Sequence, residues 1–91
     1  MNQIRAHAFI SGRVQGVGYR FSTQDAATEF GIKGWVRNLP DGRVEAVFEG
    51  TEVQVKQMLD WCHQGPRGAI VKSVEVQSET VEGLNGFEIR R

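Results

Sequence analysis

The sequence has very few of the residues that form disulfides and metal sites. Among its 91 residues are one cysteine, Cys62, and two histidines. A single cysteine cannot form an intramolecular disulfide, so the chain lacks the pairing typical of a small secreted scaffold. Two separated histidines and one cysteine make no convincing metal-ligand motif. We therefore expect no disulfide, no bound metal and no cofactor.

Neither sign of charge is in excess. The chain has 11 Lys and Arg residues and 11 Asp and Glu residues, which gives a formal net charge of zero. Nucleic-acid-binding domains usually carry a basic excess, so this balance argues against a nucleic-acid partner. It does not exclude a local phosphate site, which needs only one or two positive charges.

Long apolar segments are also missing. No N-terminal apolar run suggests a signal peptide, and no segment is long enough to span a bilayer. With 40% hydrophobic residues, the chain still has enough apolar surface for one modest core. We expect residues 1–91 to form a single domain that is cytoplasmic and monomeric and has no membrane partner.

Glycine, by contrast, is concentrated at one place. Gly12, Gly16 and Gly18 lie in the stretch Gly12–Arg20, between a strand-like run and a helix-like run. Such glycines let backbone N–H groups converge, and a loop that leads into a helix N-terminus attracts anions. The planar guanidinium of Arg20 suits a phosphate or a carboxylate. The spacing alone is equally compatible with a plain glycine-rich connection whose arginine is solvated.

Hydrophobic periodicity and turn signals predict the order of the secondary-structure elements. Ser22 is the expected N-cap of the first helix and Gly31 its C-cap. Thr51 and Gln54 form a possible capping box at the start of the second helix. The predicted strands cover residues 4–11, 33–39, 43–50, 70–76 and 86–90, and the predicted helices cover residues 21–30 and 51–63.

The order β-α-β-β-α-β, with a short extra strand, indicates an α+β fold. It predicts a ferredoxin-like split βαβ sandwich, in which an antiparallel sheet carries two helices on one face. Apolar residues of the second helix recur at helical spacing and would face this sheet. They are Val55, Met58, Leu59 and Cys62, so Cys62 is predicted to be a core residue rather than a nucleophile.

Two blocks of this sequence resemble the signatures of the acylphosphatase family. The first is the loop Gly12–Arg20 (Gly-Arg-Val-Gln-Gly-Val-Gly-Tyr-Arg). The second is Gly34–Asn38 (Gly-Trp-Val-Arg-Asn), followed by residues 41–45. The blocks occur in the family's order and at a fitting separation, and the resemblance runs over nearly the whole chain.

The resemblance implies an enzyme that hydrolyses acyl phosphates to a carboxylate and inorganic phosphate, its two small-molecule partners. It implies that Arg20 binds the phosphoryl group together with backbone amides of the loop. It also implies that Asn38 orients the attacking water. The other residues of the implied phosphate-binding loop are Gln15, Gly16, Val17, Gly18 and Tyr19.

So sparse a site suits this reaction. The leaving carboxylate is a weak base and needs no general acid. A loose phosphoryl-transfer transition state needs little push from the nucleophile, so positioning and charge stabilisation carry the catalysis. We therefore expect metal-independent hydrolysis.

Two alternatives stay open. One is a non-catalytic small-anion-binding or regulatory module, because ferredoxin-like domains host many functions. The other is an RNA-binding domain of RRM type, which would need exposed aromatics on a central strand, where residues 43–49 contain only Phe48.

From its position alone, Asn38 would be expected simply to hydrogen-bond the backbone of the adjacent turn.

Overall fold

Five strands and two helices follow one another in the predicted order. The structure is a computed structural model that describes residues 2–91. Its elements are β1 (Gln3–Arg13), α1 (Tyr19–Phe30), β2 (Lys33–Asn38), β3 (Val44–Thr51), α2 (Glu52–Gln64), β4 (Ile70–Glu79) and β5 (Phe87–Ile89). β4 is longer than predicted because it continues to pair with β1 as far as the Arg5–Glu79 pair.

The strands form one sheet in the order β4-β1-β3-β2-β5. β1 and β2 both pair antiparallel with β3, which lies between them. β5 pairs parallel with β2, so the sheet is mixed, and the antiparallel prediction is wrong for this last strand. The last residue of β4 and the first residue of β2 lie at the same end of the sheet. The chain enters β5 from that end, and β5 therefore runs parallel to β2. The predicted α+β split βαβ arrangement of the other elements is confirmed.

Both helices pack on one face of the sheet, where alternate residues of β1 and β3 are buried. Small alanines on β1 leave room for the helices to approach. Cys62 is fully buried in this core, as predicted, and its burial raises the pKa of the thiol to about 12. Buried residues of the sheet and of α2 include Ala6, Ala8, Ile10, Val44, Ala46, Phe48, Val55, Met58 and Cys62.

α1 begins earlier than predicted. Tyr19 is its first residue, and Gly18, with φ 76°, is the N-cap without a side-chain hydrogen bond. The prediction of Ser22 as N-cap is therefore wrong, and the N–H of Ser22 instead donates to the Gly18 carbonyl at 3.0 Å. Gly18 adopts the left-handed conformation and leads from the loop directly into the helix. Serine disfavours that backbone conformation. Arg20 thus lies inside the first helical turn.

The other predicted helix caps are confirmed. Gly31, with φ 74°, is the C-cap of α1. At the start of α2, the N–H of Gln54 donates to the Thr51 hydroxyl, and the N–H of Thr51 donates to the Gln54 side chain. These reciprocal bonds make the capping box that the sequence pattern indicates.

A buried carboxylate accepts several hydrogen bonds on the far face of the sheet, the face opposite the two helices. Glu49, only 2% exposed, accepts hydrogen bonds from Arg5 and from the backbone N–H groups of Glu82, Gly83 and Leu84. Burial raises the pKa of this carboxyl, but the hydrogen bonds outweigh burial and lower it. The charged carboxylate therefore fixes the segment that crosses towards β5.

His7 lies between two further carboxylates on this face. Its Nδ1 is 2.7 Å from Glu79 and its Nε2 is 2.7 Å from Glu45. Both ring nitrogens can donate only when the imidazole is protonated. Burial lowers the pKa of His7, but the hydrogen bonds to Glu79 and Glu45 outweigh burial and raise it above 6.5.

We predict that the protein loses stability as pH rises through the folded-state pKa of His7. A group whose pKa is higher in the folded state stabilises the fold fully below its unfolded pKa, and this contribution is lost above the folded value. The measurement is the urea midpoint of the wild type and of His7→Gln between about pH 6 and pH 9. The wild-type midpoint should fall more steeply over this range.

The matched control is His63→Gln. The ring of His63 contacts the Leu59 carbonyl of its own helix. This variant keeps the contacts of His7 with Glu45 and Glu79, so the fall in the urea midpoint that they cause should persist. The same pH dependence in His7→Gln and the wild type would contradict the prediction.

Candidate active site

The loop between β1 and α1 runs directly into the first helical turn. Gly16 and Gly18 both have φ 76°, and open space lies where a Cβ would be. These glycines are therefore needed for the left-handed backbone rather than for close packing. The first helical residues, Tyr19, Arg20 and Phe21, have N–H groups without a partner inside the helix. Such a helix start favours a bound anion.

A small cavity opens where this loop, α1 and β2 meet. Its volume is about 120 Å³. A cavity of this size has room for a small anion together with water. The lining residues are Val14, Gly16, Gly18, Tyr19, Arg20, Phe21 and Asn38.

Asn38 reaches this cavity from the end of β2. Its Oδ1 is buried and has no hydrogen-bond partner within residues 2–91. The adjacent turn is closed without it, by a bond from the Leu39 N–H to the Arg43 carbonyl at 2.8 Å. The local role that position alone suggested for Oδ1 is therefore wrong. A buried acceptor left unpaired costs about 1–3 kcal/mol. No hydrogen bond within the described chain satisfies Oδ1 of Asn38, a residue of the cavity lining.

Arg20 brings positive charge to the same cavity. Its side chain is half-buried and forms no ion pair with a carboxylate within residues 2–91. The N–H donors of its guanidinium are therefore available to bind an anion. Four other arginines, by contrast, are paired with carboxylates, namely Arg5, Arg37, Arg43 and Arg90.

Two residues of the predicted phosphate-binding loop direct their side chains away from the cavity. Val17 packs against the hydrophobic core. Gln15 donates from Nε2 to the carbonyl oxygens of Leu39, at 2.8 Å, and Arg43, at 2.9 Å. The sequence pattern predicted only a backbone role for Gln15. Its side-chain contact was missed because both acceptors are backbone carbonyls, 24 and 28 residues away.

A wider and more open groove of about 630 Å³ lies beside the loop. It is lined in part by Arg13, Arg43 and Lys72, and Arg43 is paired with Asp41. Asn38, the residue whose buried acceptor has no partner within residues 2–91, lines the smaller cavity. We therefore place the site in the smaller cavity.

Two structural features are absent from residues 2–91. No group of three or more His, Cys, Asp or Glu side chains is arranged there to hold a metal ion. No helix in the same part of the chain combines the length and apolar character needed to cross a membrane.

Comparison with known proteins identifies the family. The family model described as Acylphosphatase matches residues 6–89, which include the loop and Asn38. The chain belongs to the acylphosphatase family. A curated acylphosphatase of Nostoc sp. is 61% identical over 97% of this chain and 87% of its own length. One of Haloarcula marismortui is 56% identical over 99% of both chains.

Solved acylphosphatase structures agree with this assignment. The crystal structure of acylphosphatase from Bacillus subtilis is similar with a TM-score of 0.94 at 32% identity. The similarity covers 97% of this chain and 99% of that one. Both the predicted fold class and the acylphosphatase resemblance are therefore confirmed.

Tyr19 anchors the start of α1 in this acylphosphatase-family chain. Its ring is 1% exposed, and its hydroxyl donates to the Cys62 carbonyl at 2.8 Å. Burial raises the pKa of the phenol, which keeps it protonated as the donor. The Cys62 carbonyl lies in the last turn of α2, where carbonyls lack partners within the helix. Tyr19 is therefore a core anchor, whereas the neighbouring Phe21 is 64% exposed.

We predict that Tyr19→Phe lowers the free energy of unfolding by about 1–2 kcal/mol, because it leaves the Cys62 carbonyl without its donor. The measurement is urea unfolding followed by circular dichroism. Phosphate affinity should stay within about 2-fold of wild type, because the hydroxyl bonds to Cys62, which does not line the cavity.

The control for this prediction is Thr28→Val. It removes an exposed hydroxyl that bonds to the Gln24 carbonyl within α1. Its effect should stay within about 0.5 kcal/mol. Equal effects of the two substitutions would contradict an anchoring role for the tyrosine hydroxyl.

Proposed function

We propose that this chain is an enzyme that hydrolyses acyl phosphates to a carboxylate and inorganic phosphate. The observation that carries the proposal is Asn38, which lines the same small cavity as Arg20 and whose buried Oδ1 has no partner within residues 2–91. Membership of the acylphosphatase family and the curated acylphosphatases at about 60% identity support it.

The phosphoryl group would be bound by the start of α1. The guanidinium of Arg20 donates to its oxygens in a fixed planar geometry. Loop and first-turn amides from Gln15 to Arg20 donate to the remaining oxygens, and the helix dipole adds positive potential. The loop and helix amides are in place before the substrate arrives, so these donors need little reorganisation as charge redistributes in the transition state.

Asn38 would place the attacking water. Its Oδ1 accepts a hydrogen bond from one water O–H, which directs an oxygen lone pair at phosphorus. The new P–O bond forms as the bond from phosphorus to the acyl oxygen breaks, and the electron pair of that bond leaves with the carboxylate. The proton lost by the water ends on the product phosphate or in solvent.

The reaction as proposed is independent of metal. A carboxylate leaving group needs no Lewis acid, and Arg20 with the helix N-terminus supplies the positive charge. We also propose that the protein acts as a cytoplasmic monomer without a nucleic-acid partner. The unpaired Cys62 supports a reducing compartment, and the zero net charge supports the absence of a nucleic-acid partner.

The rival interpretations are less well supported. The comparisons give no support for a non-catalytic anion-binding module. For an RRM-type RNA surface, Phe48 would have to face solvent, but it is fully buried. On the opposite face of the sheet, the Trp35 ring is already covered by the guanidinium groups of Arg37 and Arg90.

We predict that the wild type hydrolyses benzoyl phosphate in the presence of EDTA. Arg20→Ala should lower kcat/KM by about 10²–10³-fold and weaken inhibition by inorganic phosphate, because it removes the charged phosphoryl ligand. Asn38→Ala should lower kcat by a similar factor but leave phosphate inhibition within about 3-fold of wild type, because it removes only the water ligand.

Matched controls are Arg67→Ala and Asn85→Ala, which remove an exposed arginine and an exposed asparagine outside the cavity. Both should keep wild-type kinetics. A folded wild type without turnover would overturn the proposed function. Activity abolished by EDTA would overturn its metal-independent form.

A further inference from the structure

The side chain of Gln15 joins the two halves of the proposed site. Gln15 belongs to the phosphate-binding loop, and its acceptors, Leu39 and Arg43, flank the turn between β2 and β3. One amide nitrogen thus uses both of its N–H donors on the hairpin that carries Asn38. Within residues 2–91, no other side-chain hydrogen bond joins residues 14–20 to residues 38–43.

The Asn38 side chain has no such support of its own. Its Oδ1 has no partner in the described chain, so its place is set by the backbone at the end of β2. Asn38 forms the last residue pair of the β2–β3 hairpin, opposite Val44. Immediately beyond it, the Leu39 N–H donates to the Arg43 carbonyl, and the Gly42 N–H donates to the Leu39 carbonyl at 3.2 Å. The two carbonyls that Gln15 binds are the two that close this turn.

Strand pairing does not hold the loop to the hairpin. The pairing of β1 with β3 ends at Ile10 and Val44. β1 then continues only beside β4, as far as the pair of Arg13 and Ile70. From residue 14 to the start of α1, the chain lies outside the sheet. The hydrogen bonds of the Gln15 side chain therefore connect the loop to the hairpin where strand pairing does not.

We infer that Gln15 is a positioning residue, which sets the placement of Asn38 relative to the phosphate-binding loop. This inference rests on the proposed function. An in-line attack requires the water on Asn38 to lie on the axis of the breaking bond, and misplacement by 1 Å can cost about 10²-fold in rate. Phosphate binding by Arg20 and the helix start does not require that alignment. Gln15 therefore acts on kcat more than on phosphate affinity.

The test uses two substitutions of similar length. Gln15→Met removes the donors, and Gln15→Glu places an acceptor-only carboxylate against two carbonyl oxygens. Gln15→Met should lower kcat for benzoyl phosphate about 10-fold or more, with KM and inhibition by inorganic phosphate within about 3-fold of wild type. Gln15→Glu should lose more at neutral pH and regain part of the loss at about pH 5, because the protonated carboxyl again offers one donor.

A matched control is Gln24→Met. The Gln24 side chain also donates across elements to a backbone carbonyl, that of Phe87, at 3.2 Å. Gln24 lies outside the cavity. Its substitution removes the same amide and should leave kcat unchanged. A fall in kcat for Gln24→Met as large as that for Gln15→Met would assign the loss to general stability and overturn the inference.

A double-mutant cycle with Asn38→Ala identifies the target of Gln15. If Gln15 acts by placing Asn38, then Gln15→Met should cost less than about 2-fold in kcat once Asn38 is alanine. Additive losses would overturn the inference, as would a parallel rise in KM and in the phosphate inhibition constant. Turnover by the wild type is the separate check: its absence would overturn the proposed function, whereas normal turnover by Gln15→Met would overturn only the role of Gln15.

Discussion

The antiparallel pairing of β3 with both of its neighbours is the constraint on which the site depends. Because β1 and β2 run in the same direction on either side of β3, they end at the same end of the sheet. The loop that follows β1 therefore lies beside Asn38, the last residue of β2. α1 begins there too, which brings Arg20 and the unpaired helix amides to the same point. The residues of the proposed chemistry thus lie at the ends of regular elements or in the loop between them, which brings them together at one end of the sheet.

The chain has equal numbers of positive and negative side chains, but they are unevenly distributed over the structure. On the far face of the sheet, the buried carboxylates Glu45 and Glu49 are bound by arginines and by His7. Such buried ions are tolerated because each is hydrogen-bonded to its partners. Removing one partner leaves the other as an uncompensated buried charge. At the cavity, Arg20 has no carboxylate partner within residues 2–91. A formal net charge of zero is therefore compatible with a local positive potential suited to a small dianion.

Local sequence signals predicted most of the fold and the glycine-rich loop with Arg20, but not the contacts between distant segments. The capping box at Thr51 and the alternation along β1 depend on near neighbours, and both could be predicted. The start of α1 was misplaced because Ser22 is a good capping residue by type, whereas the left-handed Gly18 makes that cap unnecessary. The parallel β5 and the amide bridge from Gln15 follow from where the chain returns in space, which no residue pattern encodes. The family resemblance, rather than the position of Asn38, pointed to its role.

The burial of Cys62 gives the protein an internal reporter of its own unfolding. With a pKa near 12, the thiol has almost no thiolate at neutral pH, and its surroundings include both helices and the sheet. Alkylating reagents therefore reach it chiefly in molecules that have opened. Because the chain has no second cysteine, the labelling rate at this one sulfur measures the frequency of opening without an engineered probe. Any ligand that binds only folded molecules would slow that rate in proportion to its occupancy, so labelling could rank ligands without a catalytic assay.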